Sequence, residues 1–357
     1  MFSGWIGQLT DFKKMEKALF SQKANRRKKA FLFVLGIAVL IIGLISLSIG
    51  PYNLSLQEVF QALIWSGTPQ AIDPDRGRLA SLIVWDIRFP RIILASLVGT
   101  ALSISGNIFQ GCFRNPLVEP YILGVSSGAA FGASMAIVFP AIFFSIPISA
   151  FIFAGLTVLI TLSLGYIKGQ IQTLSLILAG VVIGSFFSSL VSILKYISND
   201  AALREIIFWL LGGFYHSSWR EIYFLAPIIL LVSGLVWFLG WKLNIISIGD
   251  EEAKSLGVDP RKNKIILIAC ATLLTSISVA YVGIIAWVGL MVPHAARMMI
   301  GPDNRYVIPL SALIGTIFLL LCDTLARNLI EGEIPIGILT SILGAPYLIY
   351  LLRTKTV

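Results

Sequence analysis

The sequence predicts an all-α polytopic membrane protein. Three observations carry that reading: too little charge for a water-exposed surface, a succession of apolar stretches of bilayer length, and a lopsided distribution of basic residues. Of 357 residues, 57% are hydrophobic and 13% charged, and the mean hydropathy is +0.89. An ordinary soluble domain is about 25% charged, so a soluble enzyme, a secreted disulfide scaffold and a disordered chain are excluded. At about 20 apolar residues per crossing, the composition supports roughly eight to ten helices.

From the N-terminus, residues 2–20 place Phe2, Trp5, Ile6, Leu9, Phe12, Met15, Leu19 and Phe20 on one helical face, with Lys13, Lys14, Glu16 and Lys17 largely on the other. This pattern predicts an amphipathic helix lying on the membrane before the first span; a solvated tail is the alternative. The basic stretch comes too late, and the next apolar run is too long, for a cleavable signal peptide. Residues 1–30 therefore form a basic N-terminal segment, and 31–357 a single membrane domain. Apolar stretches follow at 31–49, 92–112, 121–139, 142–167, 174–197, 221–241, 264–282, 284–300, 306–329 and 336–352. That makes ten spans. The stretches 142–167, with Pro147, and 284–300, with Pro293, are the least regular, but breakers are tolerated where neighbours satisfy the freed backbone.

An even number of spans puts both termini on one side. With that side inside, nineteen of the 27 basic residues are cytoplasmic, eight of them between Lys13 and Lys29. Arg76, Arg78, Arg88, Arg91, Arg204 and Arg220 fall outside, and Lys195 and Arg327 lie within spans. The bias places both termini in the cytoplasm. The net charge of +9 thus reads as topology and contact with anionic lipid, not as a nucleic-acid footprint. Two connections are long. In 50–90, SLQEVFQALIW sets Leu56, Val59, Phe60, Leu63 and Ile64 on one face of a short surface helix. In 242–263, Ile245, Ile246, Ile248, Ala253, Leu256 and Val258 alternate with Asp250, Glu251, Glu252 and Lys254, which predicts short amphipathic helices covered either by a cytoplasmic partner or by the protein's own membrane domain.

Five ordered motifs resemble the FecCD-type permeases of iron-complex and cobalamin ABC importers. They are DIRFPRIILASLVGTALSISGNIFQGCFRNPLVEPYILGVSSG at 86–128, LREIIFWLLGGF at 203–214, SIGDEEAKSLGV at 247–258, GLMVPHAARMMIGPD at 289–303 and DTLARNLIEGEIPIGILTSILGAPYLIYLLR at 323–353. The resemblance runs from about residue 31 to near the end and implies a type II ABC importer permease. That architecture has ten transmembrane helices with an inverted pseudo-repeat, in four-span groups at about 92–197 and 264–352. It also implies a homodimer, cytoplasmic ABC ATPase subunits, an extracytoplasmic substrate-binding protein, and a cell-membrane location. Alternating access would carry an iron complex (siderophore or haem) or cobalamin. The predicted topology is consistent with the inversion, but no residue-level repeat between the halves is convincing.

Each motif also has a plain reading. RNPL at 114–117 is a helix-terminating turn; by resemblance it narrows the cytoplasmic mouth, with Asn115 and Leu117 as gate residues and Thr173 at a second constriction. Gly249 and Gly257 bracket DEEAKSL. Asp250 is well placed to start a helix there and Gly257 to end it in the left-handed conformation. By resemblance the coupling helices lie at about 245–258, with Gly249, Asp250, Ala253, Leu256 and Gly257 coupling to the ATPase and Ala253 small enough for close approach. Arg76 and Arg78 would receive acidic residues of the binding protein, while Arg88 reads as structural ahead of Pro90. Asp323 and Arg327, four apart, form a structural ion pair. GVSSGAAFGASMA, with Gly124, Ser127, Gly128, Gly132 and Ala133, is a helix-packing stripe and not a phosphate loop, since no lysine follows and no strand precedes.

No Walker A motif, HExxH, Ser/His/Asp set or spaced catalytic carboxylates appear. His294 lacks companions at ligand spacing, and Cys112, Cys270 and Cys322 show no paired spacing. Neither catalysis, a resident metal nor a cofactor is expected. The alternative class is an ion-coupled secondary transporter with inverted repeats, which needs an unpaired acid at mid-membrane. None stands out.

Overall fold

The computed structural model describes the backbone of residues 2–64, 74–167, 170–171, 173–330 and 332–354, and the side chains of 25–64, 77–166, 174–330, 332–350 and 353. Helix α1 runs Phe2–Ser48 and α2 runs Leu56–Ile64. Helix α3 (Pro74–Leu82) passes through a π-helical turn at Ile83–Arg88 into α4 (Phe89–Phe113). A 3-10 turn at Pro120–Leu123 precedes α5 (Val125–Val138) and α6 (Ile146–Gly165). A hairpin of two-residue strands, β1 (Tyr166–Ile167) and β2 (Gln170–Ile171), leads into α7 (Thr173–Ile197) and α8 (Asp200–Leu211). Then come α9 (Trp219–Phe238), α10 (Gly240–Ile248), α11 (Asp250–Ser255) and α12 (Pro260–Val282). The chain closes with α13 (Val288–Ile300), α14 (Asn304–Ala326) and α15 (Ile336–Thr354).

Among the described residues, seven helices are long and apolar enough to cross a bilayer, and α5, α13 and α15 are shorter apolar helices. Each of the ten predicted stretches carries one of these. Pro147 falls in the first turn of α6, where its missing N–H costs nothing. Pro293 lies inside α13 without ending it. Two expectations change. Helix α1 is continuous, where a separate surface helix was expected before the span; SQKANRRKKA at 21–30 contains no glycine or proline to stop a helix. The apolar stretch expected over 142–167 leaves the helix after Gly165, and its last two residues form one strand of the small antiparallel hairpin, with Tyr166 opposite Ile171. Helix α2 starts in a capping box: Glu58 Oε2 accepts from the Ser55 N–H at 2.8 Å, and Ser55 Oγ from the Glu58 N–H at 3.2 Å. It buries Val59 and Ala62 but leaves Leu56, Phe60 and Ile64 exposed, an apolar face suited to a bilayer surface.

Helix α4 is the hub, buried almost continuously from Pro90 to Phe113. Its small residues explain why. A Cβ on Gly99 would fall on the carbonyl of Gly315 in α14, and one on Gly106 on the carbonyl of Gly289 in α13. Where lipid competes equally for apolar surface, such close backbone approach and interhelical hydrogen bonds hold helices together. Ser105 Oγ donates to the Ala271 carbonyl of α12 at 2.9 Å, and Asn107 Nδ2 to Asn304 Oδ1 of α14 at 2.9 Å. Gly128 and Gly132 of α5 lie directly against Thr157 and Ser149 of α6, so the small-residue stripe is a packing stripe. Helices α1 and α7 bury little of their apolar surface, as lipid-facing helices do. At one end of the bundle, Trp219 Nε1 donates to the Trp85 carbonyl at 2.8 Å and Trp85 Nε1 to that of Ala62 at 2.9 Å, an interfacial aromatic cluster. Helix α11 lies at the other end.

Candidate gate and coupling site

At the α11 end, α4 stops at Arg114, which adopts a left-handed conformation (φ 53°, ψ 36°). The Asn115 N–H donates to the Gln110 carbonyl at 3.1 Å, and Asn115 Oδ1 accepts from the Leu117 N–H at 2.9 Å. The Asn115 side chain therefore closes the turn, while the Leu117 side chain stands 51% exposed beyond it. Thr173 is the first residue of α7; its side chain lies outside the described residues.

Past this turn the chain re-enters the bundle. Pro120 packs on Gly289, and Tyr121 Oη donates to the Ile285 carbonyl at 2.8 Å. The Trp287 N–H donates to Glu119 Oε1 at 2.8 Å. Two segments outside the α-helices thus cross antiparallel beside Gly106, two-thirds of the way along α4. One leads into α5 through Gly124 (φ +80°), the other into α13 through Trp287 (φ +75°). Helix α13 ends at the α11 end and α5 at the opposite one. Each short helix is the second of its group, α4–α7 or α12–α15, and each starts inside the bundle from a left-handed residue. The inverted repeat is written in the backbone and not in matching residues. Glu119 is an acid inside the bundle that the sequence reading did not single out; it sits in the quoted motif, reads there as loop, and is engaged by the Trp287 N–H. Gln110 and Arg297 also escaped the sequence reading. Gln110 Nε2 donates to the Leu290 carbonyl at 3.0 Å, Gln110 Oε1 accepts from Arg297, and Arg297 Nη1 donates to Asn107 Oδ1 at 3.0 Å. This amide network ties the end of α4 to α13.

Helices α10 and α11 and the loop after them bury Leu243, Ile246, Ala253 and Val258 against the chain's own bundle. Ala253, expected to meet a partner, is fully buried and belongs to the internal face. A tryptophan there would clash within this chain. Ile248 (63%), Leu256 (60%) and Trp241 (45%) are the large exposed apolar side chains here, the first two beside exposed Glu251 and Glu252. Gly249 precedes α11 in extended backbone, and Gly257 takes φ +76° beyond its end. Asp250 opens α11 and accepts from Lys264 Nζ of α12 at 2.7 and 2.8 Å. Asn244 of α10 donates to Asp303 at 2.8 Å and accepts from the Asn304 N–H at 2.7 Å. Hydrogen bonds from Arg305, with Asn244 adding to them, hold the Asp303 carboxyl down at about 2, so it is ionised at any physiological pH.

At the opposite end, Arg78 is exposed, and the Arg76 side chain lies outside the described residues. Arg88 is buried and donates to the carbonyls of Leu47, Ser48 and Tyr52. Asp323 and Arg327 do pair, at 3.1 Å, but not alone. Arg91 Nε reaches Asp323 at 2.7 Å and Arg91 Nη1 reaches Glu333 at 2.9 Å. Among the described residues, no three His, Cys, Asp or Glu side chains gather as metal ligands would.

A helical membrane bundle centred on two interrupted helices of opposite sense is a transporter architecture. The chain belongs to the FecCD transport family, whose model matches residues 38–354. It is 39% identical over 316 residues to the molybdate import system permease protein MolB of Haemophilus influenzae, covering 88% of this chain and 93% of that one. The hemin transport system permease protein HmuU of Yersinia pestis is 38% identical, with the same coverage of each chain. The cobalamin import system permease protein BtuC of Halobacterium salinarum is 38% identical over 279 residues, 78% of this chain and 75% of that one. A metal-chelate type ABC transporter, solved in an inward-facing conformation, superposes with a TM-score of 0.81 at 37% identity, covering 92% of this chain and all of that one.

Proposed function

We propose that this chain is the membrane-spanning permease of an ATP-binding-cassette importer that carries a metal chelate such as a siderophore or haem, a cobalamin, or an oxyanion. It works as a homodimer spanning the cell membrane, with residues 31–357 as one permease domain, 1–30 as a basic cytoplasmic segment on anionic lipid, and the α11 end in the cytoplasm. Two ATPase subunits dock there, and a substrate-binding protein docks at the opposite end against Arg76 and Arg78. Asn115, Leu117 and Thr173 line the cytoplasmic gate. The ATPases move α11 because they contact it differently in their open and closed states. An ion-coupled carrier is not favoured, since the named relatives above are permeases of import systems and Glu119 is engaged by the Trp287 N–H.

The observation that carries this reading is α11 itself. It is anchored to the bundle by buried Ala253 and by Asp250–Lys264, yet Ile248 at the end of α10 and Leu256 at the C-cap of α11 flank it facing outward beside two glutamates. Burying each such side chain contributes about 1.5–3 kcal/mol. Ile248→Glu with Leu256→Glu should therefore weaken ATPase binding by roughly a hundredfold or more. The permease, coexpressed with its ATPase and binding protein, should lose copurification while keeping its elution profile in detergent. Undiminished copurification would remove α11 from the interface.

A further inference from the structure

Asp250 has a second partner. Arg114 Nη2 lies 3.9 Å from Asp250 Oδ1, an oxygen that Lys264 also holds. The two ion pairs differ in kind. Lys264 is buried and bonded to both carboxylate oxygens, whereas Arg114 and Asp250 are 44% and 42% exposed. The first fixes α11 to α12. The second is long, wet and cheap to break or tighten. Arg114 is also the residue immediately before Asn115–Leu117, and it holds a left-handed C-cap where glycine is the favoured residue. The same turn is gripped by α10: a Cβ on Gly111 would lie 2.7 Å from Leu243 Cδ1, and Ser247 Oγ is 3.4 Å from the Gly111 carbonyl.

We propose that Arg114 is a positioning residue that transmits displacement of α11 to the 115–117 turn through its ion pair with Asp250. A shift of α11 closes or opens the 3.9 Å gap, and the guanidinium draws the turn with it, while Lys264 keeps α11 in register on α12. This rests on the importer reading, because α11 must be moved by a partner.

The test uses the purified permease–ATPase complex in nanodiscs, with the native cysteines replaced by alanine and Leu117→Cys introduced. Fluorescein maleimide labelling of residue 117 is timed without nucleotide and after trapping with Mg-ATP and vanadate. The parent should change its labelling rate about fivefold or more. Arg114→Gly, which keeps the backbone conformation and removes only the guanidinium, should lower that response to under about twofold while ATP hydrolysis persists. Arg114→Lys should restore it. Asp250→Asn should also lower it, and adding Arg114→Gly to Asp250→Asn should lower it no further. A full response in Arg114→Gly would overturn the link alone, because a helix cap is served as well by glycine. A parent that hydrolyses ATP without any change at residue 117 would overturn the gate assignment and the link with it. A permease that captures no ATPase would overturn the importer reading instead.

Discussion

Asp323 shows how far single residues could be read. Its spacing from Arg327 is four, and helical geometry alone puts the two on one face. Arg91 stands 232 residues away, where no local rule reaches, and by sequence it belonged to an outer loop. Burying a carboxylate requires compensation, and here two guanidiniums supply it. Arg91→Met leaves Asp323 with Arg327 alone and strands Glu333. Removing one partner of a buried pair costs about 3–5 kcal/mol, so the apparent melting temperature in detergent should fall clearly. Glu333 is a third exposed, and the exposed half of a pair is worth about 0–1 kcal/mol. Glu333→Gln should therefore cost far less than Arg91→Met. If the two variants melt alike, Arg91 serves Glu333 and not Asp323. Ala253 carries the complementary lesson. A small residue on an amphipathic segment can face either way, and only the packing of α11 on α12 showed that it faces inward.

Helices as units were legible, because hydropathy reports which segments leave water. The ten apolar stretches and the boundaries of α11 follow from composition, glycine and proline. Depth was not legible. Residues 121–124 and 283–287 are as apolar as the helices around them, so nothing in their composition separates a continuous span from one interrupted inside the bundle. The crossing exists because α4 carries glycine where α13 begins, and that coincidence lies 183 residues apart in sequence. It can be tested through the glycine. At Gly106 a methyl group would meet the Gly289 backbone, which has no side chain to swing aside. At Gly155 of α6 nothing lies within 4 Å. In a helix interior alanine is favoured over glycine by about 0.8–1.0 kcal/mol. Gly155→Ala should therefore be neutral or slightly stabilising, and Gly106→Ala strongly destabilising, with loss of monodisperse protein. Equal yields and melting temperatures would place the α4–α13 crossing elsewhere.

For the whole molecule, orientation is the property on which function depends, since an ATPase can act only where ATP is. The charge count that placed the α11 end inside counted Arg88 and Arg91 against itself. Both are buried and bonded within the protein, so neither meets lipid headgroups or water as a topology signal. Without them, Arg78, Arg204 and Arg220 are the exposed basic side chains described at the aromatic end. The α11 end exposes Arg114, Lys254, Arg261, Lys262 and Arg305, and Arg26, Arg27 and Lys29 of α1 are exposed as well. Counted on exposed side chains alone, the asymmetry still favours the α11 side, eight to three among those named. It predicts that a cysteine at exposed position 254 is shielded from an impermeant maleimide in sealed cells, and that cysteines at 78 and 332 react. Permeabilised cells should make all three reactive, which separates orientation from burial. Labelling of residue 254 from outside would put Ile248 and Leu256 on the wrong side of the membrane for any ATPase. The coupling role of α11 would fall with the topology, whatever the family resemblance.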